Sequence, residues 1–157
     1  MNMIRKHCVI LFFGICLFLV GCSNPVKDME DSFHRGQYLK AAQSAINGMR
    51  EISLRPQVEA FMLDYGDLVI EKSLLQGELL MKREKDEDSI LYFQALLKVF
   101  GEMKLLSFPV VSLEQGLVKA GQLLDDSIEQ YTKVHYRLGK ETYKRNLYRK
   151  SLDHFTA

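Results

Sequence analysis

A formal net charge of +1 on 157 residues gives this chain no overall electrostatic attraction for nucleic acids, and we expect no nucleic-acid partner. With three prolines and no tryptophan, the composition favours helices, and the length suits one domain with a substantial core.

The N-terminal segment carries the pattern of an export signal. Arg5 and Lys6 precede thirteen uncharged residues, 8–20. That length fits the roughly 7–15 residues of a signal-peptide core and falls short of the roughly 20 needed to span a bilayer. The segment ends in Leu19-Val20-Gly21-Cys22. This ending resembles the lipobox of bacterial lipoproteins, and the alternative is an ordinary secretory signal followed by an accidental cysteine.

The lipobox resemblance implies a covalent lipid anchor on Cys22. In that family the thiol receives diacylglycerol, a peptidase cuts before the cysteine, and the new amino group is acylated, commonly with palmitate. The resemblance implies a signal peptide over 1–21, a single mature domain over 22–157, and no cofactor beyond these acyl chains. Ser23 implies the periplasmic face of the outer membrane in a Gram-negative host, and otherwise a lipid-anchored location at the cell membrane.

The mature chain offers little material for catalysis or metal binding. Loss of Arg5 and Lys6 leaves 19 basic and 20 acidic residues, a net charge near −1, and Cys22 remains as the one cysteine. No two of its histidines stand at metal-ligand spacing, and there is no HExxH, GxSxG or Gly-rich phosphate loop. We therefore predict no metal site, no catalytic residue and no enzymatic activity.

The spacing of apolar residues predicts helices almost throughout the mature chain. Asn24 and Pro25 form a helix start, with a capping residue followed by proline at the first helical position. We expect Gly66 and Gly77 to kink or divide a long third helix. Asp88 is the expected N-cap of the fourth helix. The helices are predicted at residues 26–35, 38–52, from 56 to about 80, 90–103, from 113 to about 138, and from there to the C-terminus.

A nine-residue pattern occurs twice, 110 residues apart. Phe33, Gly36, Tyr38 and Ala41 form one copy, and the other has Tyr143, Asn146, Tyr148 and Ser151. Glycine or asparagine tolerates the positive φ of a tight turn between antiparallel helices. The tyrosine that follows would open the second helix and pack back on the first, and the small residue would let the helices approach closely.

This pattern resembles the tetratricopeptide repeat, a helix–turn–helix unit of about 34 residues. The resemblance implies an all-α fold in which antiparallel helical hairpins stack as a short array, and the alternative is an irregular helical bundle. Tetratricopeptide lipoproteins serve outer-membrane protein assembly and pilus assembly, so an envelope protein partner is implied. We therefore predict a lipid-anchored adaptor or scaffold. The chain could also self-associate through its C-terminal end.

The C-terminal copy contains the candidate partner-binding residues. Arrays usually end in a polar capping helix, whereas this sequence ends on apolar residues. Either these residues fold back on the long helix predicted over 113–138, or a partner covers them. The predicted contacts are Tyr143, Arg145, Tyr148, Arg149, Leu152 and Phe155.

A basic stretch over 133–150 supports an alternative function. It holds seven lysines and arginines against one glutamate, with tyrosines interleaved. Export argues against RNA, so the alternative is a binding module for anionic lipid or lipopolysaccharide headgroups. A solvated helix face balanced by acidic stretches elsewhere explains the same charges without a ligand.

The lipobox interpretation predicts that Cys22→Ala abolishes acylation, because no other residue can carry the thioether. Metabolic labelling with palmitate should mark the wild-type chain but not this variant. Cys16→Ala, a matched change inside the apolar segment, should remain labelled. Label retained on Cys22→Ala would contradict the prediction.

Overall fold

The computed structural model describes residues 24–83 and 85–144, with side chains as far as Thr142. Predictions that concern 1–23, Glu84 or 145–157 lie outside this part of the chain. The described ranges contain helices and turns and no strand, so the all-α prediction is confirmed. The five helices are α1 (Pro25–His34), α2 (Tyr38–Arg50), α3 (Arg55–Lys82), α4 (Asp86–Leu105) and α5 (Leu113–Lys144).

Helix α3 is the centre of the arrangement. Each helix packs against the next along the chain, and α1 and α5 also contact α3, so that α3 touches all four other described helices. A further contact joins α2 to α4. The most deeply buried large side chains come from several helices and meet in one core: Met29, Met62, Ile70, Phe93, Leu96, Phe100 and Met103.

The first hairpin has the local features that the sequence predicts. The Asn24 side chain accepts a 3.0 Å hydrogen bond from the Val26 amide, which caps α1 ahead of its first-turn proline. Gly36 has a φ of 71° in the turn that follows. The Tyr38 ring packs edge-on against Phe33 with centroids 5.7 Å apart, and Ala41 is fully buried. The matching positions 146–151 lie outside the described residues.

The predicted break in the third helix is wrong, because α3 is continuous over 28 residues. Its glycines are instead points of close approach. A Cβ on Gly66 would lie 2.5 Å from Val110 Cγ2, and a Cβ on Gly77 would overlap the ring of Phe93. These positions lack a side chain because neighbouring segments occupy the space.

Two predicted helix limits differ from the structure by more than two residues. Helix α4 begins at Asp86, so Asp88 lies in its first turn and is not the N-cap. Carboxylates in a first turn are stabilised by the partial positive charge of the helix N-terminus, which explains the acidic start. Helix α5 continues past Leu138 to Lys144, because nothing in its sequence interrupts the helical spacing there.

The start of α5 is tied directly to α3. Ser112, the residue before α5, donates to Asp67 Oδ1 from its hydroxyl at 2.7 Å and from its amide at 2.9 Å. These bonds hold the pKa of Asp67 below its ordinary value, since both favour the charged carboxylate. Ser112 and Gln115 have the spacing of a capping box, but no side-chain hydrogen bond of the described residues joins them. Asp67 supplies the partner instead.

The packing predicts opposite effects for two Gly→Ala changes in α5. At Gly116 the new Cβ would lie 2.5 Å from Cγ2 of the buried Ile70, whereas at Gly121 it meets no atom within 4 Å. We expect Gly116→Ala to cost about 1–2 kcal/mol of unfolding free energy through overpacking. Gly121→Ala should add about 0.5–1 kcal/mol through helix propensity. Urea unfolding measures both. Equal effects of the two changes would contradict this close approach.

Candidate protein-binding surface

Helix α3 carries apolar residues on two faces. Its inner face is part of the core, where Val58, Met62, Val69 and Ile70 are almost completely buried. Leucines and a tyrosine on the rest of the helix are exposed to solvent. A helix that is apolar on several sides is normally surrounded by other elements. The exposed apolar side chains of α3 are therefore the feature of this surface that needs an explanation.

These side chains form a line, here named the outer stripe: Phe61, Tyr65, Leu68, Lys72, Leu75 and Leu79. Successive members are four, three, four, three and four residues apart. At 3.6 residues per turn they fall within an arc of about 80° and extend about 27 Å along α3. Tyr65, Leu68, Leu75 and Leu79 are 43%, 37%, 41% and 42% exposed. The single charged member, Lys72, lies in the middle of the stripe.

An aromatic cluster supports the N-terminal end of the outer stripe. The ring of Phe33, at the end of α1, lies 5.4 Å from that of Phe61 and 5.1 Å from that of Tyr65. Phe61 and Tyr65 are themselves 5.0 Å apart. Since Phe33 also contacts Tyr38, the first hairpin fixes the position of these two rings. This end of the stripe is therefore preorganised.

One edge of the outer stripe is acidic. Asp64, Glu71 and Glu78 recur every seven residues and project beside the stripe, so we name them the acidic row. Asp64 and Glu71 are exposed. Glu71 lies 3.0 Å from the ammonium group of Lys72, and Glu78 lies 2.7 Å from that of Lys119 on α5. The stripe thus has an apolar centre and a negatively charged border.

A concave region apart from the outer stripe lies where α2, α3 and α4 meet, with a volume of about 460 Å³. Gln76 crosses it, donating from Nε2 to the Gly36 carbonyl at 2.6 Å. The Tyr92 hydroxyl is 3.1 Å from both the Ser73 carbonyl and Gln76 Oε1, and burial raises the pKa of Tyr92 to about 12. Because these polar groups bind one another, we assign them the structural task of joining the first turn to α3 and α4.

The residues selected from sequence lie mostly outside the described part of the chain. Cys22 does so, and so do the side chain of Tyr143 and the five other predicted partner contacts. Among the described members of the basic stretch, Lys133, Arg137 and Lys140 are exposed and share one face of α5. Lys133 forms an ion pair with Glu129 at 2.5 Å.

The far end of α5 is well separated from the outer stripe. Lys104 of α4 pairs with Glu114, and Phe100 lies beside Gly116, so α4 runs antiparallel to α5. This register places the first residue of α4 opposite about residue 130 of α5. The last 14 residues of α5, 131–144, therefore extend about 20 Å beyond the start of α4. The described end of α5 is thus distant from the start of α4.

Sequence reasoning did not identify the outer stripe, although its residues were visible as part of a helical pattern. The signal was the heptad spacing of Tyr65, Leu68, Leu75 and Leu79 beside a second apolar series formed by the buried residues. In a 28-residue helix the two series overlap and appear as one broad apolar face. Only the packing of α3 against its neighbours separates them.

The described residues contain no group of three or more His, Cys, Asp or Glu side chains that could hold a metal ion. None of the helices in 24–83 and 85–144 is long and apolar enough to cross a membrane. Comparison with protein families, with curated proteins and with solved structures finds no match to this chain.

Proposed function

We propose that this chain is a lipid-anchored helical adaptor of the bacterial cell envelope that binds a protein partner along the outer stripe of α3. The observation that carries the proposal is the row of exposed apolar side chains at 65, 68, 75 and 79. Burying apolar surface contributes about 25 cal/mol per Å². Other exposed apolar side chains of the described residues, such as Ile52 and Val111, lack this regular spacing. Clustered exposed apolar side chains are typical of an interaction site.

The proposed lipid anchor on Cys22 determines where this surface would operate. Helix α1 begins at Pro25, so only Ser23 and Asn24 separate the helical domain from the acylated cysteine. A tether this short would keep the outer stripe close to the membrane surface. Partners would then be envelope proteins, on the periplasmic face of the outer membrane in a Gram-negative host.

The tetratricopeptide-like array and the C-terminal contacts remain part of this proposal. Sequential packing of the helices and the positive φ of Gly36 support a stacked-hairpin arrangement. The residues predicted from the second copy would form a further contact with the partner. They are Tyr143, Arg145, Tyr148, Arg149, Leu152 and Phe155.

A second candidate function is binding of anionic lipid headgroups by the basic stretch. The supporting observation is that Lys133, Arg137 and Lys140 are exposed at four- and three-residue spacing along α5. Such a contact would be lost with rising salt, whereas the apolar part of a contact at the outer stripe would remain.

The adaptor function predicts that a paired change in the stripe removes the partner. Leu75→Gln with Leu79→Gln replaces two side chains that are about two-fifths exposed, so the fold should be retained. Crosslinking in intact envelopes followed by affinity purification should recover a stoichiometric partner with the wild-type chain. With this variant at least about nine-tenths of the partner should be lost, because a loss of about 1.4 kcal/mol of binding free energy raises the Kd tenfold.

The matched control is Leu91→Gln with Leu105→Gln, which alters exposed leucines of α4 and should leave recovery unchanged. Recovery that survives the stripe variant but fails after polar substitution of Leu152 and Phe155 would move the binding site to the C-terminal segment. Recovery that depends only on the basic stretch and on salt would favour lipid binding.

A further inference from the structure

We propose, on the basis of the adaptor function above, that the outer stripe binds one amphipathic helix of a different protein, and that this helix carries a row of lysine or arginine residues beside its apolar seam. Three features support this partner chemistry: the spacing of the stripe, the acidic row and the position of Lys72.

The spacing of the outer stripe selects a helical partner. Alternation of four- and three-residue steps is the heptad repeat that lets side chains of one helix insert between those of another. The stripe follows this repeat from Phe61 to Leu79, a length that about eighteen residues of a partner helix would match. An extended strand, with side chains repeating every two residues, has no matching period.

The acidic row selects the charge of the partner. In heptad terms, with Tyr65 and Lys72 at position a, the residues Asp64, Glu71 and Glu78 all occupy position g. Charges at g face the flank of the partner helix and set partner choice and orientation. Lysines or arginines there would pair with Asp64 and Glu71, whereas acidic residues would meet like charge. Glu78 already has Lys119 as a partner and Glu71 has Lys72, so Asp64 contributes most and a partner lysine would compete with Lys72 for Glu71.

The same charges disfavour a second copy of this chain as the occupant. In an antiparallel pair, position g of one helix faces position g of the other, so the acidic row would meet itself. In a parallel pair, position a faces position a, so Lys72 would meet Lys72 in the centre of the interface. Either arrangement places like charges side by side. A single charged residue at position a also fixes register, which suggests that a partner places an acidic side chain opposite Lys72.

Two synthetic peptides of about 21 residues, three heptads long, test the inference. Both carry leucine at positions a and d, except that glutamate occupies the one a position meant to face Lys72. Each also has one tryptophan near its end. The basic-flank peptide has lysine at e and g, and the acidic-flank peptide has glutamate there. Because the chain contains no tryptophan, peptide fluorescence reports binding to the full chain directly.

We expect the basic-flank peptide to bind at least about tenfold more tightly than the acidic-flank peptide, as several exposed ion pairs together would give. Asp64→Lys with Glu71→Lys should reverse this preference. The matched control, Asp125→Lys with Asp126→Lys, changes the net charge equally on an exposed face of α5 and should leave it unchanged. Circular dichroism checks that each variant is folded.

Three results would overturn the inference. One is equal binding of the two peptides, and another is no binding of either. The third is sedimentation equilibrium showing a dimer of the full chain that Leu75→Gln with Leu79→Gln dissociates. Envelope crosslinking separates this failure from that of the adaptor function. A captured partner that depends on Leu75 and Leu79, but not on Asp64 and Glu71, would leave the function standing and refute the charge of the partner.

Discussion

Packing of α3 against all four other described helices is the constraint on which the rest of the structure depends. Close approach at this helix requires positions without side chains, and Gly66 and Gly77 supply them on α3 itself. Gly116 does the same for α5, where Ile70 fills the space. The bonds from Ser112 to Asp67 then fix where α5 begins. Small residues and one carboxylate thus decide how the apolar inner face of α3 is covered.

A helix at the centre of a small domain still has one side without a neighbour. On α3 that side carries apolar residues at heptad spacing, a feature that core packing does not require. Phe61 and Tyr65 also pack against Phe33, but Leu68, Leu75 and Leu79 are not part of the core. Their presence is therefore better explained by a partner than by folding. The acidic row and Lys72 add a pattern of charge to the same surface, which gives it a means of choosing among helical partners.

Sequence spacing predicted most of the fold where local chemistry decides the outcome. The cap at Asn24 and the turn at Gly36 follow from the residues themselves, and so does the position of the second helix. The prediction that Gly66 interrupts the third helix was wrong. In the sequence, a glycine that breaks a helix cannot be told from one that allows a neighbouring segment to approach closely. The outer stripe was missed for a related reason, since burial of one apolar series and exposure of the other is set by tertiary packing.

We propose that α3 uses one face for the fold and an adjacent face for a partner helix. A photocrosslinking scan, with a reactive residue placed singly at the exposed or half-exposed positions from 61 to 79 in intact envelopes, tests it most directly. We expect crosslinks to a partner from positions 61, 65, 68, 72, 75 and 79. We expect none from Leu63, which is 71% exposed but lies on another side of the helix. Adducts without this three- and four-residue period, or strongest at Leu63, would contradict it.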